Sequence, residues 1–187
     1  MDKFTKMNKR KPVKEKNELL YDGGHMKVMQ IDNWSYIEEP DSICVLPIII
    51  EDNQILVRME VVPSFQVKDN KEFHLTCIAG TIEKGEDPKD CLVRELEEEA
   101  GIVLKDNVVI EFFDILYKSK SQSSRFHLCI LPLNIYSFDE VVARGDGSKL
   151  EKMSKTVRVN IKSIKSLFPS DIVTKLLLEE GKKYLNL

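Results

Sequence analysis

The residues best equipped for chemistry are Glu95, Glu98 and Glu99 in the run Arg94-Glu95-Leu96-Glu97-Glu98-Glu99. On a helix their i, i+3 and i+4 spacing puts all three carboxylates on one face, with Glu97 turned away to solvent. Like charges so placed repel, by a few tenths of a kcal/mol per exposed pair and by more where water is excluded. A cationic partner is therefore expected. An all-oxygen donor set is what hard divalent ions such as Mg²⁺ or Mn²⁺ prefer, and Mg²⁺ keeps waters and reaches for substrate phosphates. The run points to phosphate chemistry, although a bare E-x-x-E-E is more often a solvated acidic face.

The flanking residues change that balance. Gly80, Glu86, Arg94, Glu95, Leu96, Glu98, Glu99, Gly101 and Ile102 spell G-x5-E-x7-R-E-U-x-E-E-x-G-U, where U is a bulky aliphatic, without a departure. From residue usage, a chance match at a given start is on the order of one in ten million or rarer. Gly80 and Gly101 allow backbone geometry that a Cβ would strain, at the exit from a strand and from a helix. Leu96 and Ile102 are expected to face inward. Arg94 can fork onto a carboxylate and hold a ligand in orientation.

This pattern is the Nudix box, and the sequence resembles the Nudix hydrolase family, whose members cleave a diphosphate linked to another moiety with divalent metal. The resemblance implies an α/β fold, a Nudix α/β/α sandwich around a mixed β-sheet. It also implies Mg²⁺ or Mn²⁺ held by Glu95, Glu98 and Glu99, with the carbonyl of Ala79 as a further donor. Glu86 has two readings, support of Arg94 or direct ligation. Metal neutralises diphosphate oxygens and activates water for phosphoanhydride hydrolysis. The base for that water comes from a Glu of the box or from a later loop, where Glu151 comes first and Asp146 second; ordinary loop solvation is the alternative for both, and Glu98, Glu95 and Arg94 are the catalytic candidates within the box.

The segment Leu20–Pro63 resembles the ADP-ribose and nucleoside-diphosphate-sugar pyrophosphatase branch, in which an extra N-terminal hairpin often builds a homodimer. That likeness implies a homodimer and a nucleoside-diphosphate substrate, with ADP-ribose or an ADP-sugar foremost. Arg58 matches the first Arg of the branch's R-Q-x-R pattern and is expected at the substrate, but Met59, Glu60 and Val61 follow it. Thr76-Cys77-Ile78-Ala79-Gly80 replaces the branch's E-x-P-A-G. Tyr117 stands where the branch has Pro, and a Tyr near that place is a feature of the dinucleoside-polyphosphate branch; Tyr117 is accordingly a substrate-binding candidate. Trp34 and Tyr36 are further candidates, either stacking on a base or packing in a dimer interface or core. Phe73, His74, Phe126 and His127 lie on strands expected beside the cleft. Other readings are a dinucleoside polyphosphate, (d)NTP or RNA 5′-end pyrophosphohydrolase, or a catalytically silent nucleotide-binding module.

The elements that position these residues follow from pattern. Pro88 suits the first turn of a helix with Asp87 as N-cap, Cys91, Leu92 and Leu96 form its apolar stripe, and Gly101 ends it. A hairpin is expected around Asp32-Asn33, and a second, mostly buried, from Ile43–Ile50 and Gln54–Met59. Further strands are expected at Phe73–Ala79, Val108–Tyr117, Phe126–Ile135 and Lys155–Ile161, with a last helix over Ser170–Tyr184. The domain reading is a basic disordered arm at 1–16, an N-terminal antiparallel β-hairpin at 17–39, and the catalytic domain at 40–187.

Composition sets the outer limits. The chain has 187 residues, 42% of them hydrophobic and 32% charged, with 28 Lys+Arg against 31 Asp+Glu. A chain of this length buries about 70% of its unfolded surface, which excludes global disorder, collagen and a small disulfide scaffold. Charge is segregated: seven basic and two acidic residues at 1–16, eight acidic and three basic at 83–99. The arm reads as solvated, so nucleic acid is not an expected partner. The longest apolar stretch, Ile43–Ile50, contains Pro47 and falls far short of the roughly 20 residues that span a bilayer, so no membrane association is expected. The basic N-terminus has no apolar segment behind it, and Cys44, Cys77, Cys91 and Cys129 form no C-x-x-C pair. A cytoplasmic protein with reduced, structural thiols is expected.

Overall fold

Runs rich in Ile, Val and Leu form the centre of a mixed sheet in the computed structural model, which describes residues 17–61, 73–145, 153–166 and 171–187. The arm at 1–16, Asp146 and Glu151 lie outside the described residues. The described residues divide into two compact units, one of 17–39 with 118–124 and the other of the remaining described residues.

In the larger unit, β4 (Ser42–Ile49) is buried along its whole length, as a strand covered on both faces should be. One edge of β4 pairs in parallel with β10 (Arg125–Leu133). Its other edge is shared between two antiparallel neighbours, β7 (Ile78–Thr81) against residues 42–45 and β5 (Gln54–Val61) against 48–49. Pro47, which has no N–H to give, falls in the gap between those two ladders. The sheet is completed by β6 (Phe73–Thr76) and β12 (Lys155–Asn160) on β5, and by β9 (Asp114–Tyr117) on β10.

Alternation along β4 sends Ile43, Val45 and Ile49 to one core and Cys44, Leu46 and Ile48 to another. Helix α1 (Pro88–Ala100) contributes Cys91, Leu92 and Leu96 to the first core. Helix α2 (Ile172–Tyr184) contributes Leu177 and Leu178 to the second. This is the expected α/β/α sandwich. Helix α2 is fixed to the sheet through its own N-terminus, where Thr174 Oγ1 donates to Asp171 Oδ2 at 2.6 Å and accepts from the Cys77 amide at 2.8 Å. Cys77 is the residue at which the chain leaves β6 for β7, so one hydroxyl closes both a helix cap and a strand break. All four cysteines are buried and free. Burial pushes the Cys91 thiol up to about 12, with nearby Glu86 adding to the rise.

The single strand expected at Phe73–Ala79 is broken at Cys77 into β6 and β7, and three further regions differ from the sequence expectation. The N-terminal hairpin is a three-stranded antiparallel sheet, because β1 (Asn17–Asp22) turns at Gly23-Gly24 and pairs with β2 (Lys27–Ile31), which pairs in turn with β3 (Trp34–Glu38). Gly24 has φ 87°, a conformation that favours glycine. Of the strand expected at Val108–Tyr117 only β9 forms; Val108, Ile110 and Phe112 pack on the α1 core from a segment outside the ladder. Two short strands, β8 (Ile102–Leu104) and β11 (Phe138–Glu140), pair with each other and had no expectation, three residues being too few to show a period.

In the smaller unit Glu39 ties the segment 118–124 to the end of β3. It accepts from Lys118 Nζ at 3.1 Å, Gln122 Nε2 at 3.0 Å and Ser124 Oγ at 2.9 Å. Burial alone would raise its pKa, but these donors outweigh burial and hold its carboxyl below the usual range.

Candidate metal and phosphate site

Helix α1 begins and ends as its sequence dictates. Asp87 caps it by accepting from the Lys89 amide at 2.8 Å, Pro88 opens the first turn, and Gly101 leaves it in the left-handed region at φ 63°. The last carbonyls of a helix have no partner within the helix. Here Glu97 O accepts from the Gly101 amide at 3.1 Å and Glu98 O from the Gly145 amide at 2.9 Å. Glu99 O accepts from two side chains on neighbouring strands, Arg58 Nη1 at 3.3 Å and Thr156 Oγ1 at 2.6 Å. The end of the helix that carries the carboxylates is thereby fixed to a loop and to the sheet.

Glu95, Glu98 and Glu99 all line one cleft of about 520 Å³, together with Ala79, Gly80, Thr81, Ser42 and Phe126. Glu95 and Glu99 are buried while Glu98 is half-exposed, and Glu97 faces solvent. Two guanidiniums supply the counter-charge the triad requires. Arg94 Nη1 donates to Glu95 Oε1 at 2.7 Å and to Glu98 Oε2 at 3.2 Å. Arg58 Nε lies 3.2 Å from Glu99 Oε1. Among the described residues no three carboxylate, His or Cys groups close around a single point, and Arg94 bridges two of the three box carboxylates.

Glu86 is held as a partner of Arg94. Its Oε1 accepts from Arg94 Nε at 3.0 Å, its Oε2 accepts from Arg94 Nη2 at 3.3 Å and from the Glu83 amide at 2.8 Å. Arg94 Nη2 also donates to Thr81 O at 3.2 Å, so one guanidinium joins the loop after β7 to the helix. The hydrogen bond from Arg94 is the main cause holding the Glu86 carboxyl below its usual range, and the same pairing raises the pKa of Arg94.

A carboxylate depressed in the folded state stabilises the protein above its unfolded value of 4.5, and the contribution is lost as pH falls through the lower folded value. Glu86→Gln should therefore unfold more readily than wild type at pH 7, and the two urea midpoints should converge toward pH 3. A gap that persists unchanged at pH 3 would refute the pairing.

Gly80 is the closest backbone approach in the cleft. A Cβ built on it would stand 2.1 Å from the Glu95 carboxylate carbon, so the strand can lie against that carboxylate only because residue 80 has no side chain. An all-oxygen donor face with a glycine cradle suits a hard divalent cation.

The other expected residues are more widely spread, and Arg58 lines a second cleft of about 410 Å³ that also reaches Glu98 and Glu99. Arg58, expected at the substrate, is 3% exposed, held against Glu99 with Glu60 at 3.6 Å from its Nε. Tyr117 ends β9 exposed, opposite Arg125, and is not among the residues lining the cleft. Trp34 and Tyr36 belong to the smaller unit, where Lys120 Nζ sits 5.3 Å from the centre of the Trp34 ring. Phe126 lines the cleft, whereas Phe73 is exposed on β6. His74 lies 3.7 Å from Glu60, and His127 lies 3.3 Å from Asp41 with Phe112 edge-on to its ring. Ser42 had no local signal; it comes to the cleft beside Phe126 only through the parallel pairing of β4 and β10.

The NUDIX domain profile matches residues 40–151, more than half of the chain. The chain belongs to the Nudix family. It is a Nudix pyrophosphohydrolase, of a family that generally uses divalent metal ions. No curated protein sequence matches it. A crystal structure described as an ADP compounds hydrolase matches with a TM-score of 0.66 at 18% identity, covering 91% of this chain and 92% of that one. At that identity the likeness is one of fold. As 290 chains of known structure match the Nudix chain, the fold is common and substrate choice must come from the site. Among the described residues no helix is long and apolar enough to cross a membrane.

Proposed function

We propose that the chain hydrolyses the phosphoanhydride bond of a nucleoside diphosphate linked to a second moiety, ADP-ribose or an ADP-sugar first, with Mg²⁺ or Mn²⁺. The observation that carries this reading is the shared cleft of Glu95, Glu98 and Glu99, three carboxylates on one helix face with two arginines behind them. The fold likeness to a protein described as an ADP compounds hydrolase supports the nucleoside-diphosphate class.

In this reading Glu95, Glu98 and Glu99 hold the metal, and the Ala79 carbonyl is a further donor. When bound, the metal neutralises diphosphate oxygens and makes water a better nucleophile. Glu95 is clasped by Arg94 and pressed on Gly80. Half-exposed Glu98 accepts the proton of the attacking water in this reading, with Glu151 as the later-loop alternative. Arg94 and Glu86 hold the loop and helix in register. Phe126 offers an aromatic wall for the nucleoside or the second moiety.

Exposed Leu19, Leu20 and Tyr21 on β1, an edge strand among the described residues, support a homodimer through the N-terminal sheet. Four buried free thiols suit a reducing, cytoplasmic setting. The test of substrate class is a panel of ADP-ribose, ADP-sugars, NADH, diadenosine polyphosphates, dNTPs and capped RNA, incubated with Mg²⁺ or Mn²⁺ and read by mass spectrometry. ADP-ribose or an ADP-sugar should give the highest kcat/KM. A hundredfold preference for a dinucleoside polyphosphate or dNTP would move the chain to another branch.

A further inference from the structure

We propose that Arg58 is a positioning residue for Glu99, acting with Thr156, and not a substrate contact. This rests on the reading of Glu99 as a metal-holding carboxylate. Arg58 reaches Glu99 at two places, through Nε at 3.2 Å from the carboxylate oxygen Oε1 and through Nη1 at 3.3 Å to the backbone carbonyl. A guanidinium that ion-pairs with the carboxylate of a residue and hydrogen-bonds its carbonyl restricts that residue's rotamer as well as its backbone position. Thr156 supplies the second clamp on the same carbonyl at 2.6 Å. Thr156 and Arg58 are direct neighbours across the β5–β12 ladder, so both clamps come from one rung of the sheet.

The location gives the arrangement its purpose. Glu99 lies in the last turn of α1, where helices fray and carbonyls lack partners. Without an outside hold, a carboxylate there would sample several positions, and one that must meet a cation in fixed geometry would bind it less tightly. Arg58 is 3% exposed and lies against both the carboxylate and the carbonyl of Glu99. Its site is the inner end of the triad, opposite in role to Arg94 at the outer end.

The test uses Arg58→Lys, which keeps a buried cation but loses the planar two-point hold, and Thr156→Val, which keeps Arg58 and removes one clamp. Mn²⁺ binding is measured by calorimetry without nucleotide, below the melting temperature of every variant, and kcat and KM are measured separately. Arg58→Lys should raise the Mn²⁺ Kd about tenfold and lower kcat by a similar factor, with KM for the nucleotide within about twofold of wild type. Thr156→Val should move Kd and kcat in the same direction by about threefold. Unchanged Mn²⁺ affinity in both variants, or a rise in KM alone for Arg58→Lys, would overturn the proposal. A merely structural role would lower the melting temperature and leave Mn²⁺ affinity as it was, which also counts against it. If wild type hydrolyses none of the panel while Mn²⁺ affinity still follows Arg58, the substrate reading fails and the positioning role stands. The converse result separates them the other way.

Discussion

Glu98→Gln should lower kcat on the preferred substrate by about 10³-fold, while the protein keeps its fold and its melting temperature within a few degrees. The amide has nearly the shape of the carboxylate, so packing is unchanged. What it lacks is charge and basicity. Of the triad Glu98 is the member whose loss should disturb structure least, because it is half-exposed and its ion pair with Arg94 at 3.2 Å is one of several that Arg94 makes. The expected split is therefore a large kinetic effect with a small stability effect. Rates compared at saturating Mg²⁺, with circular dichroism on the same sample, check it. A variant that retains even a tenth of wild-type kcat would remove Glu98 from the chemistry.

Gly80→Ala should be the most damaging single-methyl change in the cleft, costing at least 10²-fold in kcat/KM and about 1–3 kcal/mol in stability. A Cβ there would lie 2.1 Å from both the Cδ and Oε1 of Glu95, inside any contact that atoms tolerate. The carboxylate has little room to withdraw, since Arg94 holds it at 2.7 Å and the residue is buried. Either Glu95 leaves its rotamer or β7 moves away from β4, and both disturb the triad. Gly85→Ala is the matched control. That glycine has φ 87° but nothing within 4 Å of a built Cβ, so only the backbone cost of about 1–2 kcal/mol is expected, with kcat/KM near wild type. Equal activity losses in the two variants would mean that contact with Glu95 is not the cause.

The parts of this molecule legible in the sequence were those specified locally. Asp87, Pro88 and Gly101 bracket α1 within one helix length, and the Glu95, Glu98, Glu99 face follows from helical spacing alone. Long-range placement was not legible. The partnership of Arg58 with Glu99 spans 41 positions and that of Thr156 with Glu99 spans 57; both exist only because β5 and β12 pair beside the end of α1. Arg58 was expected at the substrate from its match to the branch's R-Q-x-R pattern, and its contact with Glu99, which depends on the sheet, had no local signal. Ser42 reached the cleft by the same kind of crossover pairing. At the N-terminus the period-two pattern was visible but the partner count was not, so a hairpin was expected where β1 adds a third strand at Gly23-Gly24.

The opposing charges at 83–99 also have a structural meaning beyond a site for cations. Of the three basic residues there, Arg94 touches Glu86, Glu95 and Glu98. Arg58 arrives from the sheet to meet Glu99. The helix thus carries an acidic face stable enough to fold, with its carboxylates held in place by arginines of fixed geometry.

This face should support metal-dependent hydrolysis of a phosphoanhydride. The decisive measurement runs the reaction on ADP-ribose in H₂¹⁸O with Mg²⁺, with and without EDTA, and weighs both products by mass spectrometry. A nucleoside monophosphate and a sugar phosphate should form, with a single ¹⁸O in one of the two, loss of both products in EDTA and recovery when Mg²⁺ is restored in excess. Products that form undiminished in EDTA, or that carry no ¹⁸O, would contradict metal-dependent hydrolysis.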